Sequence, residues 1–173
     1  VRCNAFLGGI SANYRTNVLL DNAAAFIVVE ADEYDRSFLQ LAPAQAIITA
    51  MDPDHLDIYG TPEAMYDAYR SFADLCTGPV LVHERVKHHF QGRPNVSTYS
   101  LGPESPARAE NIRVEDGAYH FDLVSDGSEL RNLTLGMPGR HNVENAIAAS
   151  TLALRAGVPT SRLREALASF KGV

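Results

Sequence analysis

The apolar residues of the first half of the chain fall into three short runs, at 25–29, 46–50 and 79–82. Each run is rich in β-branched residues and does not alternate with polar positions, which is typical of strands buried on both faces of a parallel sheet. Between the second and third runs, the pattern predicts a helix that Thr61 caps and Pro62 begins, with one apolar face. Strand, helix and strand in this order predict a βαβ unit.

The pattern changes to alternation between about residues 96 and 137, where three short segments exchange polar and apolar positions. The pairs Asp116-Gly117 and Asp126-Gly127 separate these segments, and such pairs are signals of tight hairpin turns. This part of the chain therefore predicts a small antiparallel sheet.

The last part of the chain predicts two helices, separated by a Gly-Val-Pro break at 157–159. The first is expected from Asn142 to Ala156, and the second follows with Thr160 as its cap. Together, these elements predict one α/β domain over residues 1–173. It has a mostly parallel sheet flanked by helices, plus the small antiparallel sheet.

Composition and charge narrow the class of protein. No uninterrupted apolar run approaches the ~18 residues of a membrane span, and the N-terminus does not resemble a signal peptide. Cys3 and Cys76 form neither a disulfide framework nor a metal-binding spacing, which favours reduced thiols and a cytoplasmic location. With 15 basic against 21 acidic residues, and Lys87 and Lys171 as the only lysines, a protein that binds nucleic-acid phosphates is not expected.

The negative charge is concentrated in one stretch of the chain. Residues 30–57 contain seven carboxylates and one base, Arg36, so this stretch alone carries the whole formal net charge of −6. Its first acid, Glu30, directly follows the first apolar run, and ligands of open α/β sheets bind at that end of the strands. Four acids in six residues repel one another unless a cation is present, and Mg²⁺ binds one or two such carboxylates beside phosphates and waters. A solvated acidic loop is the alternative, but the strand-end position favours a site.

A second acidic loop follows the second apolar run, and it contains His55 between Asp54 and Asp57. This histidine can ligate a metal or be oriented by a carboxylate, although a loop histidine that only pairs with its neighbours is an equally good interpretation. If the two strands are neighbours, Glu30 and His55 face one crevice. The histidines after the third run, His83 among them, are expected on a solvated face.

A third motif lies at 139–145, where the first C-terminal helix begins. Asn142 is expected to cap that helix. Asn145 lies one turn further, where no cap is needed, and its amide offers a donor and an acceptor that match the N6/N7 edge of adenine. A nucleotide site should also have a glycine-rich loop ending in Lys-Ser/Thr, and the chain contains no such loop.

In this order and spacing, the three motifs resemble those of the Mur ligases, the ATP-dependent amide-forming enzymes of peptidoglycan synthesis. The resemblance covers essentially the whole chain. Phe6-Leu7-Gly8-Gly9 and residues 52–63 look most like the branch that joins L-alanine to UDP-N-acetylmuramate. It implies the central ATP-binding domain of a three-domain enzyme, with ATP and Mg²⁺ as cofactors and the phosphate loop before Val1.

The resemblance also implies roles for individual residues. Glu30 and His55 would hold Mg²⁺ near the transferred phosphate and serve catalysis, with Asp32 and Glu33 organising the surroundings of the metal. The adenine pocket would be formed by His141, Asn142 and Asn145. Several sister enzymes carry a carbamylated lysine on the helix after the histidine loop, and the absence of lysine there fits the alanine-adding branch.

Two alternatives stay open. The branch that recycles murein tripeptide onto UDP-N-acetylmuramate shares the Glu-Ala-Asp-Glu-Tyr-Asp run at 30–35. A protein of another class, a stand-alone acidic module, would bind Mg²⁺ or Ca²⁺ without nucleotide through four carboxylates: Asp32, Asp35, Asp54 and Asp57. On the ligase hypothesis, this chain alone is expected to be inactive and to bind ATP poorly, because it lacks the phosphate loop.

Overall fold

A computed structural model describes residues 1–173 of the chain. It contains nine strands: β1 (Cys3–Ser11), β2 (Thr16–Leu19), β3 (Phe26–Val29), β4 (Ala46–Ile48), β5 (Val80–His83), β6 (Val96–Ser100), β7 (Ala107–Glu115), β8 (Ala118–Ser125) and β9 (Ser128–Leu135). It contains four α-helices: α1 (Leu56–Tyr59), α2 (Pro62–Leu75), α3 (Arg140–Arg155) and α4 (Thr160–Ser169). Two 3₁₀ segments, Tyr34–Gln40 and Glu84–Phe90, follow β3 and β5. No helix combines the length and the hydropathy that a membrane crossing requires.

Six strands form one sheet in the order β4-β5-β6-β7-β8-β9. The first four are parallel to one another, and β8 and β9 continue the sheet in antiparallel pairing. The predicted α/β class is confirmed. The antiparallel strands extend the parallel sheet, and Asp116-Gly117 and Asp126-Gly127 form their turns with positive φ at all four positions. Two consecutive residues with positive φ are the signature of a type I′ turn, which suits the twist of a hairpin.

Helices cover both faces of the sheet, as the packing of the β5 side chains shows. Val80 and Val82 pack in a core with Met65 of α2, whereas Leu81 packs in a second core with Ile147 of α3. All three β5 residues are fully buried, because successive side chains of a strand point to opposite faces and each face has a helix. The continuous apolar run at 79–82 therefore follows from burial on two sides.

The helix starts agree only in part with the sequence-based prediction. Thr61 caps α2 as predicted, accepting a hydrogen bond from the Ala64 N–H at 3.2 Å. The prediction for Asn142 was wrong: α3 begins two residues earlier, after Gly139, and Asn142 lies inside its first turn. Thr160 is likewise the first residue of α4 and does not cap it, because Pro159 already occupies the cap position.

The second sheet has three strands in the order β2-β1-β3, with β3 parallel to β1. All four residues of β3 are exposed, with Ile27 at 65% and Val29 at 42%. The prediction of a strand buried on both faces was wrong for β3. It pairs along one edge only, with β1, and no helix of the chain packs on it.

The three-stranded sheet is attached to the C-terminal residues by the turn between β1 and β2. The Asn13 side chain donates to the Ser169 carbonyl at 2.7 Å and accepts from the Lys171 N–H at 2.8 Å. The Ala12 N–H donates to the Gly172 carbonyl at 2.9 Å. These hydrogen bonds place the sheet that delivers Glu30 next to the end of α4.

Candidate functional site

Glu30 directly follows β3, and a glycine of the neighbouring strand holds its carboxylate. The Gly8 N–H donates to Oε2 of Glu30 at 2.8 Å, while the Glu30 N–H continues the ladder by donating to the Phe6 carbonyl at 2.9 Å. A Cβ at position 8 would lie 2.8 Å from Oε1 of Glu30, so only glycine permits this approach. The exposed carboxylate is thus fixed at the C-terminal end of the strand.

Side chains of the loop after Glu30 stabilise its conformation by hydrogen bonds to its backbone. Oδ1 of Asp32 accepts from the Tyr34 N–H at 2.9 Å, and the Ser37 hydroxyl donates to the Asp32 carbonyl at 3.0 Å. Asp32 therefore shapes the loop, as an aspartate does in an Asx turn. Glu33 is half-buried and points towards the second acidic loop.

His55 occupies the second loop, after β4, in a left-handed backbone conformation with φ of 53°. Its N–H donates to Oδ1 of Asp54 at 2.7 Å. Its Nε2 lies 3.6 Å from Oε1 of Glu33, and its ring meets the Tyr34 ring edge to face at 5.2 Å. A residue other than glycine with positive φ carries local backbone strain, and such residues cluster at functional sites.

The two acidic loops meet, although β3 and β4 lie in different sheets and are not paired. Besides the contact between Glu33 and His55, the buried Tyr59 hydroxyl donates to the Glu33 carbonyl at 2.6 Å. Burial raises the pKa of Tyr59, and the negative charges of Glu33 and Asp32 act in the same direction against the opposing effect of Arg36. A neutral Tyr59 remains a hydrogen-bond donor across the physiological pH range.

Two shallow cavities lie beside this junction and share Ala31 and Phe38 as lining residues. One, of about 110 Å³, is bordered by Glu33 and by the Thr49 end of β4. The other, of about 210 Å³, is bordered by Glu30 and Asp32. The carboxylates at the end of β3 therefore line concave surface on both sides of the loop, and oxygen donors of this kind suit Mg²⁺.

Glu30 and His55 are not in contact with each other. Each has its own partner, Gly8 for the carboxylate and Glu33 for the imidazole. No group of three or more His, Cys, Asp or Glu side chains is close enough to hold a metal ion by itself. The donor types still fit the implied ion, because Mg²⁺ is usually bound by one or two protein groups together with phosphate oxygens and waters.

The third motif opens α3. The His141 ring folds back over Gly139, whose φ is +93°, and the Asn142 amide donates to the Pro138 carbonyl at 2.6 Å. Asn145 is exposed, and its side chain makes no hydrogen bond within the chain. Its amide is therefore available to a ligand, while His141 and Asn142 shape the turn before it.

A contact that sequence reasoning missed joins α3 to the C-terminal end of β5. Nε2 of His83 lies 3.2 Å from Oε1 of Glu144, the residue before Asn145, and the His83 side chain is only 12% exposed. The expectation of a solvated His83 was wrong, since it packs edge to face on Tyr99 at 5.2 Å. Burial raises the pKa of Tyr99 to about 12, with a further contribution from Glu144. The sequence did contain a signal for a role of His83, because this residue directly follows an apolar run, as Glu30 does.

The comparisons with known proteins agree with this arrangement of motifs. The family model described as the Mur ligase middle domain matches residues 5–153 of the chain. The chain belongs to the Mur ligase family. The sequence-based resemblance is therefore confirmed.

Close relatives name one branch of the Mur ligases. A UDP-N-acetylmuramate–L-alanine ligase from Phocaeicola vulgatus is 44% identical over 100% of this chain and 38% of its own length. Another, from Porphyromonas gingivalis, is 45% identical over 99% of this chain and 39% of its own length. The chain thus spans about two fifths of the length of these relatives.

Solved structures show the same fold. The UDP-N-acetylmuramate–alanine ligase from Thermotoga maritima superimposes with a TM-score of 0.82 at 25% identity, over 99% of this chain and 39% of that one. A second structure is the UDP-N-acetylmuramate:L-alanyl-γ-D-glutamyl-meso-diaminopimelate ligase from Neisseria meningitides. It gives a TM-score of 0.80 at 22% identity, over 99% of this chain and 58% of that one. Both branches considered from the sequence thus have this fold. The 44–45% identity to the two alanine-adding ligases favours the alanine branch.

Proposed function

We propose that this chain is the central nucleotide-binding domain of a cytoplasmic ligase that joins L-alanine to UDP-N-acetylmuramate with ATP and Mg²⁺. The observation that carries the proposal is the junction of Glu33 and His55, which unites the two acidic loops beside the fixed carboxylate of Glu30. The two substrates are those in the names of the relatives that are 44–45% identical over the whole chain. No nucleic acid or membrane is part of this function.

The chemistry has two steps. The γ-phosphoryl group of ATP moves to the muramoyl carboxylate, which gives ADP and an acyl phosphate. The alanine amine then attacks the acyl carbon, a C–N bond forms, the C–O bond to phosphate breaks, and phosphate leaves. A protein accelerates such transfers mainly by positioning the reactants and by stabilising charge.

The residues of this chain would have distinct tasks. Glu30 and His55 would hold Mg²⁺, which supplies charge neutralisation at the phosphates when bound. Glu33 would orient the His55 imidazole, and Asp32 would keep the loop in shape, as outer partners of metal ligands do. The adenine base would be bound by the residues at the start of α3: His141, Asn142 and Asn145.

The phosphate-binding loop would lie outside this chain, before Val1, so that residues 1–173 form a domain without it. Two observations support this part of the proposal: the share of the relatives that the chain spans, and the exposed apolar faces of β3. Isothermal titration of the chain alone with MgATP should then show no micromolar binding. Tight binding by the isolated chain would argue against it.

The role of Glu30 is tested in the full-length ligase that contains this chain. Glu30→Gln keeps the size of the side chain and removes its charge, so amide formation should fall by at least about a hundredfold while the melting temperature stays close to wild type. Glu129→Gln, at an exposed position of β9 at the far end of the sheet from β4, is the matched control and should keep full activity. Near-normal turnover of Glu30→Gln would remove Glu30 from the metal site.

A second readout does not depend on activity and also addresses the stand-alone acidic module. Mn²⁺ prefers the same oxygen ligands as Mg²⁺ and broadens nearby NMR signals. In the full-length ligase with ATP, Mn²⁺ should broaden the His55 ring signals, and Glu30→Gln should weaken that effect. Strong nucleotide-independent broadening in the isolated chain would favour the acidic module instead.

A further inference from the structure

Arg36 is the one base within the acidic stretch from Glu30 to Asp57, and its backbone is held in an unusual conformation. Asp35 and Arg36 both have positive φ, 52° and 59°, which interrupts the 3₁₀ segment at this point. The Arg36 N–H donates to the Glu33 carbonyl at 3.1 Å. Two successive left-handed residues other than glycine are costly, so the surrounding contacts must fix this turn.

The guanidinium of Arg36 lies over the ring of Tyr59, with its central carbon 5.3 Å from the ring centre. Tyr59 is itself 5% exposed, and its hydroxyl donates to the same Glu33 carbonyl that the Arg36 N–H reaches. A guanidinium is attracted to the face of an aromatic ring, and the Arg36 side chain donates no hydrogen bond to any group of the chain. The ring thus positions the cation, and its N–H donors have no partner within the chain.

Arg36 makes no ion pair, although seven carboxylates surround it in the sequence. No Asp or Glu oxygen lies within the 4.0 Å that defines the salt bridges of this chain. Eight of the other twelve arginines do form an ion pair, as Arg93 does with Asp74 and Arg155 with Asp126 through two hydrogen bonds each. Arg36 is therefore an exposed, positioned cation with a free donor edge.

We propose that Arg36 binds an oxyanion of a substrate, a phosphate or a carboxylate, at the junction of the two acidic loops. This inference rests on the proposed ligase function. The stretch 30–57 carries a charge of −6, which repels anionic substrates, and one fork-shaped donor aimed at an oxygen pair offsets that repulsion locally. The same chemistry has two sources, the terminal phosphate of ATP and the muramoyl carboxylate with its phosphorylated product.

The test uses the full-length ligase and three variants. Arg36→Gln removes the charge, Arg36→Lys keeps the charge and the contact with Tyr59 but loses the fork, and Arg131→Gln is a control on the distant, exposed face of β9. The KM of ATP and the KM of UDP-N-acetylmuramate are measured separately, with kcat and the melting temperature. A charge-assisted hydrogen bond corresponds to a change of about ten- to a hundredfold in the KM of the substrate that Arg36 binds.

The expected result is a higher KM for one substrate, largest in Arg36→Gln and smaller in Arg36→Lys, with Arg131→Gln unchanged. A rise confined to ATP identifies the phosphate as the ligand, and a rise confined to UDP-N-acetylmuramate identifies the carboxylate. A lower melting temperature with unchanged KM values in both Arg36 variants would overturn the proposal, because it is the result of a merely structural contact with Tyr59. If Arg36→Gln does not fold, the KM values of Arg36→Lys decide. An inactive wild-type enzyme would instead refute the ligase function, and with it this inference.

Discussion

The Nε2 atom of His55 lies 3.6 Å from the Oε1 atom of Glu33, and this contact joins two loops whose strands belong to different sheets. Because β3 and β4 share no hydrogen bonds, the position of Glu30 relative to His55 depends on loop contacts and not on a strand ladder. Tyr59 adds the second contact between the loops, through its hydrogen bond to the Glu33 carbonyl. The candidate metal site is thus held together by contacts of Glu33 and Tyr59, neither of which is proposed as a metal ligand.

Replacing Tyr59 with phenylalanine tests this junction. The change removes only the hydroxyl that donates to the Glu33 carbonyl, so the free energy of unfolding should fall by about 1 kcal/mol. Urea unfolding of the chain, followed by circular dichroism, measures the difference. Tyr14→Phe is the control, since Tyr14 is 65% exposed and should lose nothing measurable. Equal stability of Tyr59→Phe and wild type would show that the junction does not depend on this bond.

Asp122 supports two irregular points of the antiparallel strands, and its replacement should be costly. Its carboxylate accepts from the Asn111 amide at 2.7 Å and from the Asn132 N–H at 2.6 Å, and both asparagines have positive φ where the strand register shifts. Asp122→Ala should lower the free energy of unfolding by about 2–3 kcal/mol at pH 7, because hydrogen bonds to a buried charged group are lost. Glu129→Ala, at an exposed position of β9, is the control and should cost little.

The loss at Asp122 should depend on pH in a defined direction. The hydrogen bonds from Asn111 and Asn132 hold the pKa of Asp122 below its usual range. A carboxyl with a lowered folded-state pKa stabilises the protein above its unfolded pKa of about 3.9, and that stabilisation disappears as the pH falls through the lowered value. The difference in unfolding free energy between wild type and Asp122→Ala should therefore be constant near neutral pH and shrink below about pH 4. A difference that grows in acid would contradict the assignment.

The sequence predicted the elements better than it predicted their surroundings. The run at 79–82 and the run ending in Val29 have the same apolar, β-branched character, yet Val80 is fully buried and Val29 is 42% exposed. Periodicity reports the conformation of a segment and its preference for burial, whereas the layers that cover it are set by elements distant in the chain. For β5 those layers are α2 and α3, and for β3 this chain supplies none.

The same distinction applies to the candidate site: the sequence identified individual residues but not the contacts between distant ones. Glu30 and His55 could be selected because they follow apolar runs, and the strand-end rule needs only the sequence. The contacts of Tyr59 with Glu33 and of His83 with Glu144 could not, since they join residues 26 and 61 positions apart whose meeting depends on the packed structure. Asn142 was assigned to the wrong helix position because a glycine with φ of +93° begins α3 without any side-chain cap.

Gly139→Ala should disturb the start of α3. The φ of Gly139 is +93°, and a Cβ there would lie 2.5 Å from Cε1 of His141, so both the backbone and the histidine must move. A loss of about 1–3 kcal/mol in unfolding free energy is expected, along with weaker ATP binding by the full-length ligase. Gly136→Ala is the matched control three residues earlier, where the nearest atom to a new Cβ is 3.9 Å away. A Gly139→Ala protein with wild-type stability would exclude strain at this position.

The pair His83 and Glu144 should be coupled energetically, and a double-mutant cycle measures the coupling. His83→Ala removes three contacts: the one to Glu144, the hydrogen bond that Nδ1 of His83 accepts from the Arg85 N–H at 3.2 Å, and the packing of its ring on Tyr99. Glu144→Ala removes only the first. The single losses should therefore differ, with His83→Ala the larger.

The cycle isolates the shared contact, because the Arg85 hydrogen bond and the packing on Tyr99 are lost equally with and without Glu144. The expected coupling is about 0.5–1.5 kcal/mol at pH 7, as for a partly buried hydrogen bond. Since Glu144 directly precedes Asn145, both single variants of the full-length ligase should also raise the KM of ATP more than they lower kcat. A coupling energy near zero would mean that the contact between His83 and Glu144 does not stabilise this junction, and that β5 and α3 are held together by apolar packing such as that of Leu81 and Ile147.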